Sequence, residues 1–405
     1  MKVLVVSTMF PSRAQPVHAV FVRNRISRVA RQCEVRVLSP IPWFPLAGLL
    51  PKYRHRESIP RSDMIDGMQV EYPRFLSIPA VLKPLDGFFL FLSIWRVARR
   101  IRKEFDFDLI DAHLAFPDGF GCALLARLLR KPLTVTLRGH DVNDVPRFPV
   151  RCRQVRYALR RANRVIGVAD ALRQAAVALG CDESKTVTIS NGVDVDVFDT
   201  CPRLEARQRL HLPLDRRIVL SVGHLVERKG FHIIVDAIGQ IRRKEAEVPY
   251  LIIVGGPGEE GDYSAAIRER IESQGLTDDV KLAGPQLNHT LRDWYNAADV
   301  FCLASSKEGW ANVLLESLAC GTPVVGTKVW GTPEVICSAD YGILVERTSE
   351  SIADGLTRAL ATDWDRRAIS RYARRQTWDH VAGQVLENFH MALGVEAPRW
   401  TALTG

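Results

Sequence analysis

Short runs of aliphatic and β-branched residues recur along the chain, each followed by a loop and then by apolar positions three and four residues apart. Val3–Ser7 opens one series, continued by Val35–Ser39, Leu109–Ala112, Leu133–Leu137 and Arg164–Val168. Ile218–Val222 opens a second, continued by Tyr250–Val254, Val280–Ala283, Val300–Leu303 and Pro323–Thr327. Continuous apolar runs of strand length that alternate with helical periodicity predict parallel sheets covered on both faces. Periodicity is lost at Asp194-Val-Asp-Val-Phe-Asp-Thr-Cys-Pro202, and the linker is expected near 195–215. The pattern therefore predicts an α/β chain of two parallel-sheet domains divided at about residue 200. In such sheets ligands bind beyond the C-terminal strand ends, so two domains with those ends facing would form a cleft for two substrates.

Composition narrows the class. With 405 residues, 47% hydrophobic and 25% charged, the chain is long enough for two cores and too apolar for disorder. Its longest apolar stretch, Gly87 to Trp95, is roughly half of the ~20 residues that a membrane span needs. The opening run Val3 to Val6 lacks the apolar region and cleavage site of a signal peptide. Eight scattered cysteines without a Cys-x-x-Cys pair suit buried free thiols in a reducing compartment, and a cytoplasmic location is expected.

Charge is uneven. Residues 1–200 hold 31 Lys and Arg against 19 Asp and Glu, whereas 201–405 hold 24 against 27. A basic first half suggests an anionic surface facing it, membrane phosphates or nucleic acid; the alternative is a solvated basic face. Between Phe75 and Phe105, Ile78-Pro-Ala-Val-Leu82, Phe88-Phe-Leu-Phe-Leu92 and Ile94-Trp95 precede Arg96, Arg99, Arg100, Arg102 and Lys103. Aromatic bulk beside a basic cluster fits an interfacial segment on anionic lipid, and Arg151, Arg153, Arg156, Arg160, Arg161 and Arg164 form a second cluster.

The chemistry concentrates in Ser305-Ser-Lys-Glu-Gly-Trp-Ala-Asn-Val-Leu-Leu-Glu-Ser-Leu-Ala-Cys-Gly-Thr-Pro-Val-Val-Gly326. Asn312 is expected to cap a short helix from Val313 to Cys320, with Gly321 in a left-handed C-cap and Pro323 preventing continuation. Gly309 and Ala311 allow backbone N–H groups to approach a phosphate or sugar oxygen at the helix N-terminus. Glu308 in the loop and Glu316 one turn into the helix can face one pocket and accept hydrogen bonds from hydroxyls, as carboxylates do from ribose.

Glu308 and Glu316 in this setting resemble the Glu-x7-Glu element of the retaining group 1 (family 4) glycosyltransferases of the GT-B fold. Ser190-Asn-Gly-Val-Asp194, Gly223-His-Leu-Val-Glu-Arg-Lys-Gly230, Gly255-Gly-Pro-Gly258, Val280-Lys-Leu-Ala-Gly284, Tyr295-Asn-Ala-Ala-Asp299 and Trp378-Asp-His380 match further family segments in order. The resemblance implies a nucleotide-diphosphate sugar as co-substrate and no cofactor. Lys229 would meet the donor diphosphate. Arg228 would assist it, since His224 stands where the family has arginine. Glu316 would hold the ribose, Glu308 with Gly309, Trp310, Ala311, Asn312 and Val313 the donor sugar, and the segment from Leu282 to Gly284 the base. Asp111-Ala-His-Leu-Ala-Phe-Pro-Asp-Gly119 and Thr136-Leu-Arg-Gly-His-Asp141 match first-domain segments, so His113, Asp118, Arg138 and His140 are the acceptor-side candidates. Arg138 replaces a family histidine, and the loop Pro11 to Ala19 lacks the paired glycines common in the family. The resemblance also implies two Rossmann-like, doubly wound parallel-sheet domains facing across a cleft, an acceptor-binding domain 1–200 and a donor-binding domain 201–378, with the segment 379–405 forming a helix that returns to the first domain. No carboxylate stands out as a nucleophile, so retention would follow a front-face route resting on positioning and diphosphate stabilisation. Asp106-Phe-Asp108 and Asp194-Val-Asp196 lie outside any metal-motif setting, so no metal is expected.

The acceptor would be a glycan or lipid-linked molecule, the setting polysaccharide or glycolipid biosynthesis, and the location the inner face of an anionic membrane. Nucleic acid is not expected as a partner. A dinucleotide oxidoreductase would need a Gly-x-Gly-x-x-Gly element after the first strand, and Ser7 to Ala19 has none. A GT-B-like nucleotide-sugar epimerase needs first-domain carboxylates placed for proton abstraction. A non-catalytic membrane- or nucleic-acid-binding protein would explain the charge but not Lys229 and the two glutamates.

Overall fold

The computed structural model describes all residues except 17, 46, 47, 49, 55, 79–81, 245, 246, 259 and 397–405. Most of the apolar run 78–82 and the end of the segment 379–405 therefore lie outside the described residues. Two compact units result. The first comprises Met1–Asn191 with Trp378–Gly405, and the second Gly192–Thr377.

The first unit contains strands β1 (Lys2–Ser7), β2 (Glu34–Leu38), β3 (Ile41–Trp43), β4 (Ser62–Ile65), β5 (Met68–Glu71), β6 (Arg74–Leu76), β7 (Leu109–His113), β8 (Leu133–Leu137), β9 (Arg164–Gly167) and β10 (Thr186–Thr188). Eight of them form one sheet in the order β10-β9-β8-β7-β1-β2-β5-β4, and β3 pairs with β6 separately. All pairs are parallel except the β4–β5 hairpin, whose turn is Asp66-Gly67. Val3, Leu4, Val5 and Val6 are wholly buried because helices cover both faces, and each contributes on the order of 2 kcal/mol. Helices Val20–Val29 and Trp378–Leu393 share one buried cluster with Val3 and Val5. Helices Asp86–Glu104, Phe120–Leu129 and Pro149–Arg161 pack in that order in another layer.

The second unit contains β11 (Ile218–Val222), β12 (Tyr250–Val254), β13 (Val280–Gly284), β14 (Val300–Leu303), β15 (Val324–Thr327) and β16 (Gly342–Val345), all parallel, in the order β13-β12-β11-β14-β15-β16. It begins earlier than the loss of periodicity suggests. Val193 and Phe198 are buried in its core, and Val193 N–H donates to the Gln376 carbonyl at 2.8 Å.

Each large sheet reverses its winding once. In the second unit the chain runs β11, β12, β13 to one side and β14, β15, β16 to the other, so the crevice between β11 and β14 is the switch point where ligands collect.

Candidate functional site

The loops after β11 and β14 meet at that crevice. Gly230 ends the first loop at φ +71, and a Cβ there would stand 2.2 Å from the Ala304 carbonyl oxygen, so only glycine lets the two loops touch. Gly255, after β12, approaches Gly223 so closely that a Cβ would lie 1.8 Å from its carbonyl oxygen. Within this frame the Lys229 ammonium donates to Glu308 Oε1 at 2.6 Å, and the Ser305 hydroxyl donates to the same oxygen at 2.6 Å. Both charged side chains are largely buried. Arg228 is held otherwise. Its Nε and one terminal nitrogen grip Glu260, and its other terminal nitrogen donates to the Lys307 carbonyl at 3.1 Å and stands 3.9 Å from Glu308. Lys229, Arg228 and Glu308 are thus brought together at the switch point, the two cations paired with Glu308 and Glu260.

The helix after the second loop is Asn312–Ala319, one residue earlier than expected, and its N-cap is Ala311 with no side-chain cap. This corrects the assignment of Asn312 as the cap: Asn312 is already helical. The helix ends at Cys320 followed by Gly321 at φ +74, with Gly321 N–H bonded to Leu318 O and Thr322 N–H to Ser317 O. Gly309, Trp310, Asn312 and Val313 are half-buried and Ala311 is buried. Glu316 accepts a 2.8 Å hydrogen bond from the Tyr295 hydroxyl. An edge of Glu316 reaches solvent, yet burial pushes its carboxyl up to about 7, outweighing the lowering effect of that hydrogen bond. The Tyr295 hydroxyl is pushed well above its ordinary range by burial and by the adjacent carboxylate. Glu308 and Glu316 therefore have separate partners.

Beside the crevice, β13 ends in a register irregularity at Gly284, whose φ is +73 and whose carbonyl accepts from Gly255 N–H at 3.0 Å. Leu282 and Gly284 are both half-buried. The rest of the Tyr295–Asp299 segment is structural. Asn296 ties down Asp199 and Cys201, and buried Asp299 takes Arg203, Arg207 and the Ile218 amide.

The first-unit candidates divide differently. His113 ends β7 with no exposed surface, its Nε2 3.0 Å from Asp111 Oδ2 and its Nδ1 2.8 Å from an Arg138 nitrogen. A guanidinium has no acceptor, so Nδ1 accepts, Nε2–H donates to Asp111 and the ring is neutral. Burial also lowers the ring's pKa. Asp118 is equally closed: the Thr8 amide and hydroxyl donate to Oδ2 at 2.9 and 3.1 Å, and burial holds its carboxyl well above the usual range. Placing His113 and Asp118 against an acceptor is thus corrected, since both are sealed in the unit's interior. Arg138 is half-buried, donates to Asn191 at 2.9 Å and stacks 5.2 Å from the Phe21 ring. His140 alone of the four is well exposed, 3.2 Å from Asp144. Buried Asp141 ties the local turn by accepting from the amides of Ala115, Arg138 and Gly139.

Helix Asp86–Glu104 turns Leu90, Ile94, Ala98 and Ile101 inward. Its outer face begins with exposed Phe88 and Leu92 and ends with exposed Arg96, Arg99 and Lys103, with Arg99 over the Trp95 ring at 5.7 Å. Exposed Leu82, Leu85, Phe148 and Val150 belong to neighbouring segments, joined where Gln154 donates to the Pro84 carbonyl at 2.8 Å. In the second basic cluster Arg164 is committed to Asn388 and Ser184, whereas Arg153, Arg156, Arg160 and Arg161 are exposed. Among the described residues no helix is long and apolar enough to cross a membrane. All eight cysteines are free, but only Cys122, Cys181, Cys302 and Cys320 are buried; Cys33, Cys152 and Cys201 are half-buried and Cys337 is exposed.

Sequence reasoning singled out neither Ser305 nor Tyr295 as a partner of the two glutamates, nor Glu260 as the partner of Arg228. Tyr295 lies within a recognised segment; Glu260 has no sequence signal.

Comparison with known proteins decides the family. The model for glycosyl transferases group 1 matches residues 202–376, and the model for glycosyltransferase family 4 matches 19–197. The chain belongs to the group 1 glycosyltransferases. This glycosyltransferase is 27% identical to TuaC of Bacillus subtilis, described as a teichuronic acid biosynthesis glycosyltransferase, over 88% of its own length and 89% of TuaC. It is 30% identical to a D-inositol 3-phosphate glycosyltransferase of Mycobacterium tuberculosis over 62% of this chain and 53% of that one. The glycosyltransferase shares its α/β GT-B fold with solved structures. Sucrose-phosphate synthase of Thermosynechococcus elongatus matches at TM-score 0.77 and 20% identity, covering 97% of this chain and 100% of that one. HepE of Anabaena in complex with UDP matches at TM-score 0.73 and 23% identity, covering 96% and 99%.

Proposed function

We propose that this glycosyltransferase moves a hexosyl group, with retention, from a nucleotide-diphosphate sugar to a glycan or lipid-linked acceptor in polysaccharide or glycolipid biosynthesis. The observation that carries the reading is the Lys229–Glu308 pair at the β11–β14 switch point, 2.6 Å apart, with Glu316 one turn into the following helix. The UDP complex of HepE and the teichuronic acid assignment of TuaC support the donor and the acceptor class.

In this reading the donor diphosphate takes the place of the carboxylates around Lys229 and Arg228. Negative charge grows on the leaving diphosphate as the glycosidic bond breaks, and a fixed ammonium in a largely buried site stabilises that charge without reorganisation. Glu308, released from Lys229 and still held by the Ser305 hydroxyl, orients sugar hydroxyls rather than attacking, and Glu316 accepts from the ribose. The acceptor hydroxyl attacks on the face from which the diphosphate departs, and a departing phosphate oxygen takes its proton. No metal is required. Of the Asp-x-Asp carboxylates, Asp108 accepts from the Lys2 amide and Asp106 from Arg102 and Lys131.

The outer face of helix Asp86–Glu104 supports docking on anionic lipid at the cytoplasmic face of a membrane, its apolar half entering the interface and its arginines meeting phosphates. The test is a thermal-shift screen of UDP-, GDP- and ADP-sugars, followed by mass spectrometry of extracted lipids and glycans incubated with the stabilising donor. Stabilisation by none of them refutes the donor assignment, and a responding donor that is never transferred refutes the acceptor class.

A further inference from the structure

The strand N-termini of the second unit, at the edge of the sheet opposite the loops after β11 and β14, carry a cluster that the transfer reaction does not use. Arg217 immediately precedes β11 and Asp299 immediately precedes β14. Asp299 lies among four guanidiniums, those of Arg203, Arg207, Arg217 and Arg366, and is nearly closed to solvent. Its oxygens are already committed. Oδ2 accepts from Arg207 and from the Ile218 amide, each at 2.7 Å, while Oδ1 accepts from Arg203 and stands 3.6 Å from Arg217.

The arginines are not equally occupied. Arg207 also donates to the carbonyls of Ala297, Leu214 and Arg216, at 3.0, 3.1 and 3.0 Å, and Arg366 donates to Ala298 O at 3.1 Å and to the Thr322 hydroxyl. These two hold the fold together. Arg203 keeps a buried Nε without a partner. Arg217 has a side chain 60% exposed and, among the described residues, has Asp299 as its ion-pair partner only at 3.6 Å. Two cavities, of about 180 and 470 Å³, open here and share Arg203, Arg217 and Asp299 in their walls. The smaller also has Arg366, with Leu360 and Trp364 as apolar wall, and exposed Asp363 and Asp215 belong to the smaller and the larger cavity respectively.

Like charges gathered at one carboxylate repel each other. Burial and the neighbouring arginines both disfavour the charged form of Arg366, which is pushed down to about 10. A ligand that supplies two or more negatively charged oxygens relieves that repulsion, and the planar guanidinium fork matches a phosphate.

We propose that this cavity is a second ligand site, which takes a phosphate group between Arg203, Arg217 and Arg366. It lies a strand's length from Lys229, so it is separate from the diphosphate position. The phosphate is carried either by a small phosphate monoester, whose body packs on Leu360 and Trp364, or by free inorganic phosphate.

The test is calorimetric titration of the full chain with inorganic phosphate and with glucose 6-phosphate, at ionic strength held constant with chloride. The wild type is expected to bind at one site. Arg217→Gln, at an exposed position where the fold does not depend on the side chain, is expected to lose at least tenfold in affinity, and Lys229→Met to leave the titration unchanged. Tighter binding of glucose 6-phosphate identifies a monoester as ligand, and equal binding identifies the phosphate group alone. No binding to the wild type overturns the proposal. So does equal affinity in Arg217→Gln, or loss of binding in Lys229→Met, which would return the phosphate to the donor side.

Discussion

Glu316→Gln isolates the charge of one carboxyl while preserving its shape and an oxygen that can still accept from Tyr295. The folded protein holds the Glu316 proton up to about 7 where an unburied glutamate releases it near 4.5. That rise corresponds to on the order of 3 kcal/mol in favour of the protonated form, at ~1.4 kcal/mol per unit. The folded state binds the proton more tightly than the unfolded state. The stabilisation is therefore complete below about pH 4.5 and is lost as pH rises through 7. Glutamine does not titrate, so the stability of the variant relative to wild type is expected to rise by up to about 3 kcal/mol between pH 5 and pH 8. Melting of both proteins across that range, without ligand, reads the difference. Donor binding should run the other way, because ribose hydroxyls need the ionised carboxylate as acceptor. UDP-glucose has no ionisation of its own near neutrality, and its affinity for wild type is expected to rise with pH until about 7 and then level off. The glutamine variant should bind more weakly with a flat profile. If wild-type affinity is flat from pH 5.5 to 8, or the two proteins melt in parallel, Glu316 is neither the perturbed acid nor the ribose acceptor.

Lys229→Met is expected to lower kcat by 10²- to 10³-fold, on the order of 3–4 kcal/mol of lost charge stabilisation, with a smaller change in donor KM; wild-type turnover at saturating donor would remove Lys229 from the reaction. His113→Ala strands Asp111 and Arg138 in the interior and should cost about 2–4 kcal/mol by denaturant unfolding, while calorimetric donor affinity stays unchanged. Unaltered stability would show that His113 does not hold that network. Replacing Arg96, Arg99, Arg100 and Arg102 with glutamine should abolish sedimentation with anionic liposomes at low salt, as high salt does for wild type, and leave donor binding intact. Failure of wild type to sediment at low salt would make the arginines a solvated face and favour a soluble acceptor.

What could be read in the sequence depended on how local its cause is. β1, β11 and β14 are buried on both faces, so their sequences are nearly continuous apolar runs that announce strands without reference to anything else. The β4–β5 hairpin went unread because its residues alternate: Asp63 and Val70 are buried while Met64 and Gln69 are exposed. β16 is a four-residue run that begins with glycine. In the second unit the Lys229 loop and the Glu308 loop follow neighbouring strands, so their meeting at the switch point was implied by strand order alone. The partners that fix each carboxylate were not. Tyr295 reaches Glu316 from 21 positions away, and its hydroxyl is aimed by packing against Phe198 and Phe301.

The same distinction separates the two histidines of the first unit. His113 is the last residue of β7, where all five residues are buried, so helices close over both of its faces and its ring is spent on Asp111 and Arg138. His140 lies three residues beyond the end of β8, past the left-turning Gly139, where the chain has left the sheet and the side chain emerges into solvent. A motif fixes which residue types recur near a strand end, but one or two positions along the chain decide whether a ring serves the core or a ligand. Of the four acceptor-side candidates, His140 is therefore the one whose ring reaches solvent, while the Arg138 side chain is spent on His113 and Asn191 and only its backbone amide joins the turn that Asp141 ties.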